Sequence, residues 1–208
     1  MNKAALKNLA TKARKELMER VKLQARKIGI TKDQIEEASI ESSDALYIDG
    51  RQLSDTERKQ RDNLIARIEE IGFDRVIEET AYTWFNRLVA LRFMEVNNYL
   101  PTKVRVLSSE DETSTVPDMI KEVLTLDLDI DKELVYELKM NNDTEKLFKY
   151  LITVHCNDLN RYLPFMFETI EDYMLILFPD GLLGADSFTK DMIDTEQIPE
   201  EDWKNVEI

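Results

Sequence analysis

The sequence is short of turn-forming residues: five glycines and five prolines in 208 residues. Few strand-rich folds connect their strands with so few, so the composition points to a mainly helical chain. A single cysteine, Cys156, excludes an internal disulfide, and the only histidine is its neighbour His155. One His and one Cys leave no room for a His/Cys-based zinc site. The glycines are isolated, so there is no glycine-rich loop to cradle a phosphate or a nucleotide. No apolar run approaches the roughly 18 residues of a membrane-crossing helix. The opening MNKAALKNLATKARKEL is positive but lacks the apolar stretch and small-residue cleavage site of a secretory signal. The expected location is therefore the cytoplasm, with no membrane partner.

Hydrophobic residues make up 43% of the chain, enough to form a core and to argue against disorder. The net charge is −14, and it is unevenly spread. Residues 1–30 carry nine Lys/Arg and two Glu, whereas residues 107–145 carry twelve acids against three lysines. A basic arm helix (1–30) followed by an acidic helical domain (31–208) is the expected organisation. An acidic body repels a phosphate backbone, so any contact with nucleic acid falls to the arm.

Along the chain, Leu6, Ala10, Ala13, Leu17, Val21, Ala25 and Ile28 recur at steps of three and four. They mark one amphipathic helix over 3–28 that stops at Gly29. Lys12, Lys15, Lys22 and Arg26 lie opposite this stripe and are the candidate nucleic-acid contacts. Thr31 and Gln34 resemble a capping box for a short helix at 32–38, and Ala45–Ile48 reads as extended. Ser54 with Glu57 caps a helix that runs to Ile71, and Gly72 interrupts it. The next helix, 74–98, is apolar nearly all round, which marks a central element. It contains Arg87 and Arg92. A buried arginine must be paired, so these two are expected in ion pairs (with Glu78, Glu79 or Glu95) or in contact with a neighbouring domain. Val104–Leu107 suggests a short strand, and 108–116 a mobile loop. Residues 117–140 mix both periods. Asp143 caps a helix that runs to Tyr162, and 186–193 is a weak helix. The final IPEEDWKNVEI begins a helix that stops as it starts, as expected for a piece of a longer chain.

Few groups promise chemistry. His155 and Cys156 are adjacent on a helix and point about 100° apart, so they do not converge as a nucleophile and its base. Pro117–Asp118 followed by Glu137–Leu138–Lys139 has the loose spacing of a PD-ExK nuclease, whose acids and lysine hold Mg²⁺ and activate water. That arrangement requires neighbouring strands.

The run AYTWFNRLVALRFMEVNNYLP, Ala81 to Pro101, resembles the helical N-terminal region of the PglX family. These are the adenine-specific DNA methyltransferases of BREX phage-defence systems. The opening MNKAALKNLATKARKEL, the stretch KLFKYLITVHCNDLNRYLPFMFE and the closing IPEEDWKNVEI fit the same family. The resemblance implies a much longer parent that moves a methyl group from S-adenosylmethionine to the N6 of an adenine flipped out of duplex DNA. The Asn/Asp-Pro-Pro-Tyr/Phe motif that grips the adenine in such enzymes is missing from this sequence, so no catalytic or cofactor-binding residue carries over. The chain is expected to be a scaffold that packs on the methyltransferase core and lends cations to double-stranded DNA, with other BREX subunits as further partners. S-adenosylmethionine belongs to the parent. Two other classes stay open at this point: a free-standing acidic protein that mimics DNA or binds a basic partner, and the nuclease.

Overall fold

A computed structural model describes residues 2–37, 39–42, 45–111 and 113–205. Its described residues form a mainly α fold with one small sheet. The chain divides into two compact units. One comprises Arg14–Phe85 and Ile170–Asp180, the other Met1–Ala13, Asn86–Thr169 and Gly181–Ile208. Two long helices, α1 (Lys3–Lys27) and α3 (Phe73–Val96), contribute residues to both.

In the first unit, α1 buries Leu17, Val21 and Ala25 of its apolar stripe completely. It ends in a Schellman motif. Ile30 N–H donates to the Ala25 carbonyl at 2.9 Å, Gly29 N–H donates to that of Arg26 at 3.0 Å, and Gly29 sits at φ +72°. Residues 32–37 do not form the expected helix, whose last residue, 38, lies outside the described residues. The Thr31 hydroxyl accepts from Gln34 N–H at 3.1 Å, but in a tight turn that lets Ile30 bridge to Ile35. A Ser/Thr side chain caps such a turn as readily as a helix, and here the turn is favoured. A three-stranded antiparallel sheet follows: β1 (Ser39–Ser42), β2 (Ala45–Ile48) and β3 (Arg51–Leu53), in that order. Asp49 and Gly50, both at positive φ, join β2 to β3 in the tight turn that suits twisted strands. Helix α2 (Asp55–Ile71) opens with the expected reciprocal cap: Glu57 N–H donates to Ser54 Oγ, and Ser54 N–H donates to the Glu57 carboxylate at 2.9 Å. Helix α7 (Asp172–Ile176) packs on α2, and Trp84 donates its indole N–H to the Met174 carbonyl at 3.2 Å.

In the other unit, α3 ends with Asn98 at φ +55° and a bond from Tyr99 N–H to the Met94 carbonyl. Val104–Leu107 is not a strand. Val106 and Leu107 are buried in irregular chain, and a side chain rather than a neighbouring strand satisfies the backbone there. Helix α4 (Asp118–Lys121), a single 3₁₀ turn (Val123–Thr125), α5 (Lys132–Met140) and α6 (Thr144–Asn160) follow. Asp131 caps α5 and Asp143 caps α6. Helices α5 and α6 pack together, with Val135, Phe148, Leu151 and Ile152 in the core. Helices α8 (Phe188–Ile193) and α9 (Glu200–Lys204) supply Phe188, Met192 and Trp203. The last three residues of the closing IPEEDWKNVEI lie outside the described residues.

Candidate nucleic-acid interface and buried arginines

Helix α1 holds the four candidate cations, in two different situations. Lys12 pairs with Asp191 on α8, and Lys22 pairs with Glu19 at 3.0 Å. Arg14, Arg20 and Lys27, which the spacing of the sequence does not single out, are also engaged: Arg14 with Glu78, Arg20 with Glu16 at 2.8 Å, and Lys27 with Asp180. Lys15 and Arg26 are exposed and have no ion-pair partner among the described residues. Much of the arm's positive charge thus neutralises nearby acids. Exposed pairs of this kind contribute at most about 1 kcal/mol each, but each occupies a cation that a phosphate would need. The cations left open to a phosphate are fewer than composition implies.

Arg92 and Arg87 both lie on α3 and are handled differently. Arg92 is wholly buried and donates to Glu95 at 2.6 Å. The Glu95 carboxylate also accepts Leu107 N–H at 2.7 Å and the Ser108 hydroxyl at 2.7 Å, so it anchors the irregular segment after α3. Glu200 on α9 completes the cluster by pairing with Arg105 and, at 3.4 Å, with Arg92. The Arg105 guanidinium holds the Glu200 carboxyl below the usual range, against the opposing effect of burial. Glu200 and Arg105 lie far from Arg92 in sequence, and no local spacing signals their convergence.

Arg87 has no carboxylate within ion-pair distance among the described residues. It is 4% exposed, donates through Nη2 to the Glu168 carbonyl at 2.5 Å, and lies 6.0 Å from the centre of the Phe167 ring. Its Nε and Nη1 have no acceptor among the described residues. Burial pulls its pKa down from the ordinary arginine value. Arg61, a third buried arginine that sits on an otherwise polar helix and carries no sequence signal of burial, staples the turn after α1. Its Nε donates to the Ile28 carbonyl at 2.8 Å and its Nη2 to that of Glu36 at 2.6 Å.

The remaining candidates form no reaction centre. His155 is buried with Nδ1 2.8 Å from the Leu151 carbonyl, which makes Nδ1 the protonated nitrogen and leaves Nε2 a buried acceptor with no donor among the described residues. Burial pushes the Cys156 thiol up to about 12, so it stays neutral and unreactive. The nuclease pattern fails on geometry. Asp118 opens α4 and is held by Ser109, Glu110 N–H and Lys121, while Glu137 and Lys139 lie on helix α5 rather than on a strand. Among the described residues, no group of three or more His, Cys, Asp or Glu is placed to hold a metal ion. No helix of the described chain is long and apolar enough to cross a membrane.

No family model matches the chain. Two curated proteins do. Adenine-specific methyltransferase PglX of Lacticaseibacillus casei (strain Zhang) is 36% identical over 98% of the chain. Adenine-specific methyltransferase BrxX of Escherichia coli O9:H4 (strain HS) is 36% identical over 100% of it. The chain spans only 18% of the length of either relative. Along its whole length, the chain is thus related to one segment of the PglX and BrxX adenine-specific methyltransferases.

Proposed function

We propose that the chain serves as a non-catalytic segment of a site-specific adenine-N6 DNA methyltransferase of a BREX phage-defence system. There it packs as a scaffold on the methyltransferase core and contacts the DNA backbone. The observation that carries this reading is the 36% identity, over the whole chain, to two adenine-specific methyltransferases. S-adenosylmethionine is assigned to the core rather than to this chain. Gly29 and Gly72 end helices and Gly50 turns a hairpin, so none of the three is available to a donor-binding loop. Cytoplasmic location and contact with other BREX subunits follow from the same reading.

For DNA contact we retain Lys15 and Arg26 from the four candidate cations, because Lys12 and Lys22 are engaged in ion pairs. The test uses a full-length methyltransferase carrying this segment. Lys15→Ala with Arg26→Ala is expected to weaken DNA binding regardless of sequence. The slope of log affinity against log salt is expected to flatten by about 0.9 for each phosphate that is no longer neutralised. An unchanged slope at low salt would remove the DNA contact and leave the scaffold role.

A further inference from the structure

We propose that residues 194–199 form a strap that opens and closes on its own unit, with Glu200 as the catch that holds it shut on Arg105 and Arg92. This goes beyond the reading of the chain as part of a methyltransferase and does not depend on it. All the residues concerned belong to one compact unit.

The first observation is how the strap is bonded. It is knotted to itself. The Asp194 carboxylate accepts Glu196 N–H at 2.9 Å, Gln197 N–H at 3.4 Å and Gln197 Nε2 at 2.7 Å, and the Asp194 carbonyl accepts Ile198 N–H at 2.9 Å. Residues 195–198 make no hydrogen bond to any other part of the chain among the described residues. The strap therefore keeps its own shape whether or not it is docked, and Ile198, 2% exposed, is its buried anchor.

The second observation is the space beside it. Gln197 and Ile198 line a cleft of about 570 Å³ that reaches Asn8, Lys12 and Asp191. Thr195 and Pro199 line another, of about 580 Å³, that reaches Arg105, Ser109 and Ser114. A segment that borders two clefts and bonds mainly to itself belongs to the low-stability end of a fold, where local opening occurs.

The third observation is the balance at α9, which follows the strap. Glu200 pairs with Arg105 and, at 3.4 Å, with Arg92. The Arg105 and Glu200 side chains are 25% and 31% exposed, so salt weakens their attraction. Asp202 adds a tie at the exposed surface by accepting Asn2 N–H at 2.8 Å. Against these stands Trp203. It is 1% exposed, and its indole N–H has no acceptor among the described residues, whereas that of Trp84 donates to a carbonyl. A buried donor without an acceptor opposes docking, and water satisfies it on release. Burial of Ile198 and Trp203 and the Glu200 pairs favour the closed strap, and the stranded N–H favours the open one.

The experiment is backbone amide exchange by mass spectrometry on a full-length methyltransferase carrying this segment, reading residues 194–204 against α6 as a reference. Glu200→Gln keeps the shape of the side chain and removes its charge. It is expected to speed exchange in 194–204 several-fold and to leave α6 unchanged. Raising salt from about 0.05 M to about 0.5 M is expected to speed the same residues in the unsubstituted enzyme, and no longer in Glu200→Gln. Exchange in 194–204 that responds to neither change would overturn the catch. Equal acceleration of α6 would overturn the strap, because the whole unit would then be loosening. If Glu200→Gln fails to fold, the salt series on the unsubstituted enzyme decides, and a flat response in 194–204 overturns the proposal.

Discussion

Individual side chains set how this chain responds to mutation and to pH. Glu95 neutralises Arg92 and holds the backbone of Leu107 and the hydroxyl of Ser108 at once, so its removal leaves the buried guanidinium with only the longer contacts to Ser108 and Glu200 and leaves a buried N–H without its acceptor. Glu95→Ala is expected to cost about 3–5 kcal/mol, read as a lower urea midpoint. A loss below about 1 kcal/mol would mean that water or Glu200 replaces the carboxylate. His155 makes a second prediction. Burial holds its pKa below the ordinary value, so the unfolded chain takes up a proton at a pH where the folded chain does not. Stability is then complete above the unfolded histidine value of about 6.5 and declines as pH falls below it. Unfolding free energies measured from about pH 7.5 down to about 5.5 are expected to decrease, and His155→Gln is expected to flatten that decline. Identical slopes in both proteins would remove His155 as the source.

Secondary structure is legible in the sequence where local chemistry decides it. The Ser54–Glu57 box sets the start of α2, Asp143 that of α6, and Gly29 the end of α1, because each cap is a contact between near neighbours. The sequence misleads where the same signals serve two structures. Thr31 and Gln34 close a turn rather than a helix, and the apolar Val106 and Leu107 are buried by the Glu95 anchor without strand pairing. Asp49–Gly50 is a hairpin signal that sits among too few strand-forming residues to stand out from a plain connection. At the site, the need for a partner at Arg92 is legible from an arginine in an apolar helix. The pairing of Lys12 with Asp191 and the arrival of Glu200 depend on tertiary approach, which spacing does not encode. Gly29 supports a prediction at this scale. It adopts a left-handed conformation, and an added Cβ would lie 2.8 Å from Ile48 Cγ2 and 2.9 Å from Glu36 Cβ. Gly29→Ala is expected to destabilise by more than about 1 kcal/mol, visible as a lower melting temperature, whereas Gly50→Ala, with open space at its Cβ, loses only the conformational part.

For the molecule as a whole, the charge split carries less meaning than its arithmetic suggests. A net charge of −14 with a basic first helix resembles a DNA-binding arm on a repelling body. In the folded chain, several of those cations are matched to nearby acids, and of the four candidate cations Lys15 and Arg26 are the two without an ion-pair partner among the described residues. The chain is related to a segment of adenine-specific methyltransferases, and on the proposed reading it brings binding surfaces to such an enzyme rather than reacting groups. Steady-state methylation by a full-length enzyme carrying Lys15→Ala and Arg26→Ala tests this most directly, with DNA concentration varied at fixed S-adenosylmethionine. The account predicts a raised KM for DNA with kcat at saturating DNA unchanged, the signature of weakened uniform binding. A fall in kcat with KM unchanged would contradict it, because that would place a group acting in the transition state within this segment.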